Sequence, residues 1–588
     1  MSAPSTIPTA ATPDVCTVGV LVDGQALPGR YHVLSVRVTR ELNRIPSATL
    51  HIKDGDAAQQ SFEASESELF VPGHGLSIQL GYRSQEETVF EGVVVRQTLR
   101  ARRSGAQLVV ECKDAAVQLT RGARSAYYVE TSDSEVMEEL IERHGLSADV
   151  APTEPSPLSL VQYDCSDWDF LLCRAEANGH DVRVVDGTVH TGPPDPSAEP
   201  ALHVAFGATL LELDLELDAR EQSESLSASA WSAAEQSRSA SEASEPAAST
   251  AGNLDAPTLA SALSAGEEQL AHGGALSEPE LQAWADARLA RQRHARVRGR
   301  ASFQGFAGLQ PGDTLAVEGV GARFEGSLYV SGVRHSVSAG NWQTDAQLGV
   351  DPTPFARRSD VARLPAGGLL PAAQGLQIGV VTALAGDPEG EHRIQVRLPF
   401  VSEDEDGIWA RLATLDAGPE RGTYVRPEVD DEVVVGFLDA DPRHAVVLGM
   451  LHSSAHAPPE ELSDDNHLKG YTSREGLQQV FDDEQKRIHW ATPEGNQLTL
   501  SEEEGGIALQ DQNGNSIVLS ADGIAITSAG EILLEASSGV TVSGMDIELS
   551  ASSSLSASGS SSAELKGAST TVEGSATLTV SGGIVQIN

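Results

Sequence analysis

His452 and His456 sit four residues apart, the spacing that presents two imidazoles to one Zn²⁺ ion from a helix face. Here Ser-Ser-Ala separates them, Pro458-Pro459 follows, and no glutamate completes a His-Glu-x-x-His pattern, so the segment reads as a connector. Asp464-Asp465 and Asp482-Asp483-Glu484 offer the paired carboxylates that acid–base chemistry or Ca²⁺ binding needs. No Gly-centred calcium loop surrounds them, and they read as solvated surface. His335 alternates with Val333 and Val337 along a strand pattern, which makes it a packing residue. The run RQRHARVRGR at 291–300 is the densest basic cluster. It reads either as an anion site or, preferably, as cations at a helix C-terminus. No Gly-x-Ser-x-Gly, P-loop or dinucleotide fingerprint is present, so catalytic, cofactor-binding and metal residues are all expected to be none.

The totals narrow the classes further. Eighty-five acidic against forty basic residues give a formal charge of −45, which argues against a nucleic-acid partner, since phosphate contact needs a basic surface. Four cysteines, Cys16, Cys112, Cys165 and Cys173, lack disulfide or metal spacing and are expected to be reduced and mostly buried. The start, MSAPSTIPTAATPD, has neither a basic region nor an apolar core, and no run of 18 apolar residues follows. The expectation is a chain made in a cytoplasm without a signal peptide.

The elements that would position these residues are mostly strands. Residues 18–22, 31–38, 48–52, 76–82, 89–95 and 108–112 alternate between turns. A helix is predicted at 132–144, from the Ser132/Glu135 capping-box spacing to Gly145, and another at 167–177. Residues 221–274 are rich in Ser, Ala and Glu and read as a mobile linker or a poorly packed excursion. A stronger helix begins at Ser277 with Pro279 and Glu280 in its first turn. Five strands between 379 and 451 form a compact barrel.

From Gly506 onward, two aliphatic residues separated by one recur roughly every eight residues. The pairs are Ile507/Leu509, Ile517/Leu519, Ile524/Ile526, Ile532/Leu534, Val540/Val542 and Ile547/Leu549, with weaker echoes to Ile584/Ile587. An octad makes one strand and one corner, so a closed coil needs three octads of one chain or one from each of three. Two aliphatic side chains per strand, at roughly 1.5–3 kcal/mol apiece, favour three chains sharing a common apolar axis over a single-chain solenoid. About eleven octads at roughly 4.8 Å each would build a needle on the order of 50 Å long.

Residues 392–400 (HRIQVRLPF) and 426–451 (RPEVDDEVVVGFLDADPRHAVVLGML) resemble the neck of the VgrG family, the spikes of contractile injection machines. Residues 82–95, 111–119, 161–179, 309–319 and 326–337 are similar to its hub, most closely to spikes of free extracellular injection particles. The resemblance implies a mainly β fold: two hub β-barrels with small helices, an OB-fold neck and a triple-stranded β-helix needle formed in a homotrimer. The implied domains are a first hub barrel at 1–130, a helical and β hub segment at 131–220, and a Ser/Ala/Glu-rich linker or insertion at 221–276. A second hub barrel at 277–371, the neck at 372–455, and a connector and needle at 456–588 follow.

The implied partners are the hexameric inner tube, which six barrels of a trimer would match, baseplate proteins, effector cargo and a PAAR-type tip protein. The tip would dock near Val585, Ile587 and Asn588, and the target membrane would be met mechanically. Too few residues separate Leu451 from the needle for a lysozyme-like domain, and the sequence closes at Asn588 without a toxin domain. The alternatives are the spike of a cell-anchored type VI secretion system, a phage-like receptor adhesin and a cell-wall hydrolase.

Overall fold

The computed structural model describes residues 7, 15–154, 160–247, 249–358, 361 and 363–587. Most of the first fourteen residues, and Asn588, lie outside the described residues. Two compact units emerge, one comprising Met1–Leu376 with Gly436–Val446, the other Gln377–Val435 with Val447–Asn588.

The first unit is organised by one 13-stranded sheet. Its two strand-rich halves keep separate cores, one around Val38, Leu50, Ile78 and Val110, the other around Phe303, Leu315, Val330 and Ala346. The long strand Gly326–Ser338 joins them. It pairs Asn341–Leu348 on one edge (Val333 opposite Ala346) and Val33–Glu41 on the other (Val333 opposite Arg40). The expected barrels therefore share a sheet, because a 13-residue strand has length enough to serve both halves.

The helices form where caps and apolar spacing coincide. Asp133–Glu142 opens on a complete capping box: Ser132 Oγ accepts from Glu135 N at 3.2 Å, and Glu135 Oε2 accepts from Ser132 N at 2.8 Å. Val136, Met137, Leu140 and Ile141 face the core. Asp167–Ala177 buries Trp168, Leu171, Leu172 and Ala175 against it.

The Ser/Ala/Glu-rich stretch corrects the expectation of a mobile linker. Leu226–Ser232 pairs antiparallel with Ser237–Glu242 and parallel with Glu268–His272. Leu226, Ala228 and Ala230 pack on Leu281, Ala285 and Leu289 of the helix Glu278–His294. Alternation of Ala with Ser is weakly hydrophobic, yet small side chains allow close approach of a sheet to a helix, and the packing supplies what composition hides. The basic run closes this contact. Arg293 donates to Glu245 Oε1 at 2.7 Å and to the Ser223 carbonyl at 3.0 Å, and Arg296 to the Ala251 carbonyl at 2.9 Å. Arg298 and Arg300 pair with Glu216 and Asp214. Of the two readings of the run, the anion site has no free cations here to build it, and the guanidiniums act as internal ties.

His335 is 1 % exposed, with Nδ1 3.0 Å from Thr344 Oγ1, Nε2 unpartnered and the Trp342 ring 5.8 Å away. Burial, reinforced by Arg40, pushes its pKa down to about 3. An unfolded histidine titrates near 6.5, so below that pH the unfolded chain takes up the proton and the folded chain does not. Stability supplied by neutral His335 is complete above about pH 6.5 and falls by about 1.4 kcal/mol per pH unit beneath it. Urea midpoints at pH 7.5 and 4.5 are expected to differ less in His335→Phe than in the parent, by the equivalent of about 2–3 kcal/mol. Equal shifts in the two proteins would contradict this.

In the second unit, Gln377–Ala383, Ile394–Arg397, Ile408–Leu412, Glu432–Phe437 and Ala445–Met450 close a five-stranded barrel. Its inward residues, including Val381, Ile394, Val396, Val433, Val435 and Val447, are fully buried. Beyond it, seven strands from Leu468–Thr472 to Gly523–Thr527 form one antiparallel meander. The repeat there is not the octad. Hairpins recur every nineteen residues, with turns opened by Ser473, Thr492 and Asp511 and a left-handed glycine three residues on, at Gly476, Gly495 and Gly514. The octad governs only the chain after Thr527, where no strand is assigned among the described residues.

Candidate functional site

None of the residues singled out for chemistry gathers into a reaction centre. His452 Nδ1 contacts the backbone carbonyl of His456 at 3.3 Å, and both residues are exposed in a turn. Among the described residues, no three His, Cys, Asp or Glu side chains stand together as a metal shell. Asp482 corrects the solvated-surface reading. It is buried, accepts from Glu484 N and Gln485 N at 3.1 and 3.0 Å, and so closes a hairpin turn. Asp483 pairs with Lys469 at 2.5 Å. The thiols of Cys16 and Cys112 are buried, and burial pushes them up to about 11 and about 12, which keeps them protonated.

What the meander does assemble is a surface. Strand register places Trp490, Leu498, Leu509, Ile517 and Ile526 opposite one another in a row across five strands. A second row, Phe481, Ile488, Leu500, Ile507, Leu519 and Ile524, runs two residues away on every strand. Directly paired residues, and residues two apart, project from the same face of a sheet, so both rows share one face. The first row and Ile532 line an open trough of about 650 Å³. Leu509 is 50 % exposed and Ile524 71 %. Eight of these eleven large apolar side chains are exposed and the other three half-buried, more contiguous apolar surface than a solitary soluble chain usually tolerates.

The corners of this face were missed by periodicity alone. Asp511 Oδ1 accepts from Asn513 N and Asn515 N at 2.9 and 2.8 Å, and these bonds, led by that of the Asn515 side chain, hold its carboxyl at about 2. Asn496 Oδ1 accepts from Gln512 N at 3.3 Å, and Asn515 Oδ1 from Ala529 N at 2.9 Å, so each corner is stitched to the next. The sequence signal was the nineteen-residue recurrence of Ser/Thr/Asp-x-x-Gly. The expected tip residues Val585 and Ile587 are 47 % and 89 % exposed in the segment without assigned strands, and Asn588 lies outside the described residues. Among the described residues no helix is long and apolar enough to cross a membrane.

Comparison with known proteins divides the chain along the same lines. Residues 12–339 match the Alg8 N-terminal domain family, 377–452 the type VI secretion system/phage-baseplate injector OB domain, and 487–588 the phage baseplate V C-terminal trimerisation domain. The type VI secretion system spike protein VgrG4b of Pseudomonas aeruginosa is 34 % identical over 96 residues, 14 % of this chain and 12 % of that protein. VgrG2a of the same organism is 32 % identical over 140 residues, 22 % and 17 % respectively. The chain thus spans about an eighth to a sixth of the length of these relatives. A prophage MuSo2 43 kDa tail protein from Shewanella oneidensis is similar at 12 % identity and a TM-score of 0.42, over 57 % of this chain and 98 % of that one. A type VI secretion component of Escherichia coli gives 14 % and 0.36, over 74 % and 99 %. Matched along more than half its length in the first unit, the chain belongs to the Alg8 N-terminal domain family, and its barrel and ladder are similar to phage-baseplate V domains, with relatives among VgrG-family spikes.

Proposed function

We propose that three copies of this chain turn their apolar ladder faces onto a common axis and form the rigid spike at the tip of a contractile injection particle. The observation that carries this reading is the pair of apolar rows on one face of the meander, which from Ile488 on lie within the segment that matches a trimerisation domain. Through Thr527 each strand finds its partners within its own chain, whereas the octads beyond it keep the apolar spacing without such partners. Strand pairing there falls to the other two copies, which closes every edge except the last.

In this reading the first unit caps the hexameric inner tube and meets the baseplate, and the barrel is the neck. Sheath contraction drives the spike through the target envelope with its effectors. The work is mechanical, and the chain is not an enzyme. It is made in a cytoplasm and acts outside after assembly. A cell-anchored type VI spike fits the same observations, since the relatives named above are type VI spikes.

A PAAR-type tip protein covers the last exposed rungs, at Val585, Ile587 and Asn588. Removing residues 580–588 is expected to abolish co-purification of the tip protein while leaving the assembly of the rest intact. Undiminished co-purification would overturn the docking assignment, and loss of tube binding by the same deletion would contradict the placement of the first unit at the tube.

A further inference from the structure

The connection between the third and fourth barrel strands, residues 413–431, stands out at the barrel. It carries a small hairpin, Ala417–Gly418 paired with Arg421–Gly422, clamped by Asp416 and Arg421 at 2.6 Å. Thr423 N donates to the Asp416 carbonyl at 2.9 Å, so the ladder continues one step and sets Leu415 opposite Tyr424 on one face. These two side chains are 97 % and 86 % exposed. They are not on a loose loop. Thr414 Oγ1 donates to the Thr423 carbonyl at 3.1 Å, and Arg426, which lies 5.8 Å from the Tyr424 ring, donates to the Leu384 carbonyl at 3.1 Å. An aromatic and an aliphatic held rigidly in water have the character of an interface anchor.

Strand directions fix where the anchor points along the chain. The third barrel strand ends, the fourth begins and the fifth ends on the same side of the barrel, so the hairpin stands where the chain leaves for the ladder. Glu428 of the same connection already bonds Arg474, in the ladder's first turn, at 2.8 Å. The contact with its own ladder is thus made, and it leaves Leu415 and Tyr424 uncovered. At the ladder's base, Tyr471 and Leu477, outside the two rows, are 53 % and 50 % exposed.

We infer that Leu415 and Tyr424 of each chain dock onto the base of the ladder of a second copy, forming a collar that sets the three ladders in register. The inference rests on the three-chain assembly proposed above. Only seventeen residues separate Met450 from Leu468, so three joined ladders would hold their barrels at millimolar effective concentration or above, where a two-residue anchor suffices.

The test uses the full chain with a benzophenone amino acid replacing Tyr424, irradiated after its native mass has been measured. The expected result is a three-chain mass and, on a denaturing gel, a covalent product of two chains whose cross-linked peptide comes from residues 468–482. A three-chain mass without a two-chain product, or with cross-links only inside one chain or to another region, would overturn the collar and leave the assembly standing. A one-chain mass would overturn both.

Discussion

A chain carrying Leu509→Asp and Ile517→Asp together should run as a single copy where the parent runs as three, with its first unit still folded. Leu509 and Ile517 are directly opposed in the row that lines the trough, and each is partly exposed in one chain. In a threefold bundle the two substitutions would put six carboxylates around a dry axis. Burial of an unpaired charge costs several kcal/mol even after relaxation, far more than the roughly 1.5–3 kcal/mol each lost aliphatic side chain contributes. The hydrogen bonds of the meander itself are intrachain through Thr527, so the strand pairs there need not open. Native mass spectrometry reads the outcome. If the double variant kept the parent's mass, the apolar rows would not be the contact.

The second large effect is expected at Arg293. Its side chain is almost wholly buried, forks onto both oxygens of Glu245 at 2.7 and 3.0 Å and reaches the Ser223 carbonyl. Ser223 precedes the first strand of the Ser/Ala/Glu-rich hairpin and Glu245 follows the second, both at its open end, so one guanidinium ties that end of the module to its helix. Arg293→Ala leaves a hole and an unpaired buried carbonyl, while Glu245, half exposed, can rehydrate. That asymmetry sets the expected loss at about 2–4 kcal/mol rather than the upper range for a fully buried pair. Hydrogen exchange across residues 221–276 should accelerate by about 30- to 900-fold. Arg300→Ala, which breaks an exposed pair with Glu212 and Asp214, should cost under about 1 kcal/mol and leave the exchange unchanged. Equal effects from the two substitutions would contradict the role given to Arg293.

Legibility followed the strength of the local signal. The capped helix at Ser132 and the barrel strands were readable because a cap, an apolar spacing and a glycine stop, or a run of β-branched residues, all agreed within a few residues. The Ser/Ala/Glu-rich module was hidden because its sheet side buries mainly alanine, with Leu226, against leucines of a helix some fifty residues later in the chain. No window of sequence contains that contact. The nineteen-residue hairpin was obscured differently: the aliphatic pairs at 507/509 and 517/519 fall close enough to an octad to mimic it, whereas the turn residues at 473, 492 and 511 carry the true period. The assembly face was visible as alternation, but only strand register shows that the pairs align into two rows on one side. Buried turn carboxylates such as Asp482 have no signature apart from the turn they close.

Everything proposed for the ladder depends on three chains sharing their apolar faces. Light scattering on the purified, unmodified chain after size exclusion tests this most directly. The expected mass is three times that of the 61.7 kDa chain, about 185 kDa, holding steady on dilution into the nanomolar range. A folded species at 61.7 kDa, with residues 528–587 exchanging their amide protons as slowly as the barrel does, would contradict it.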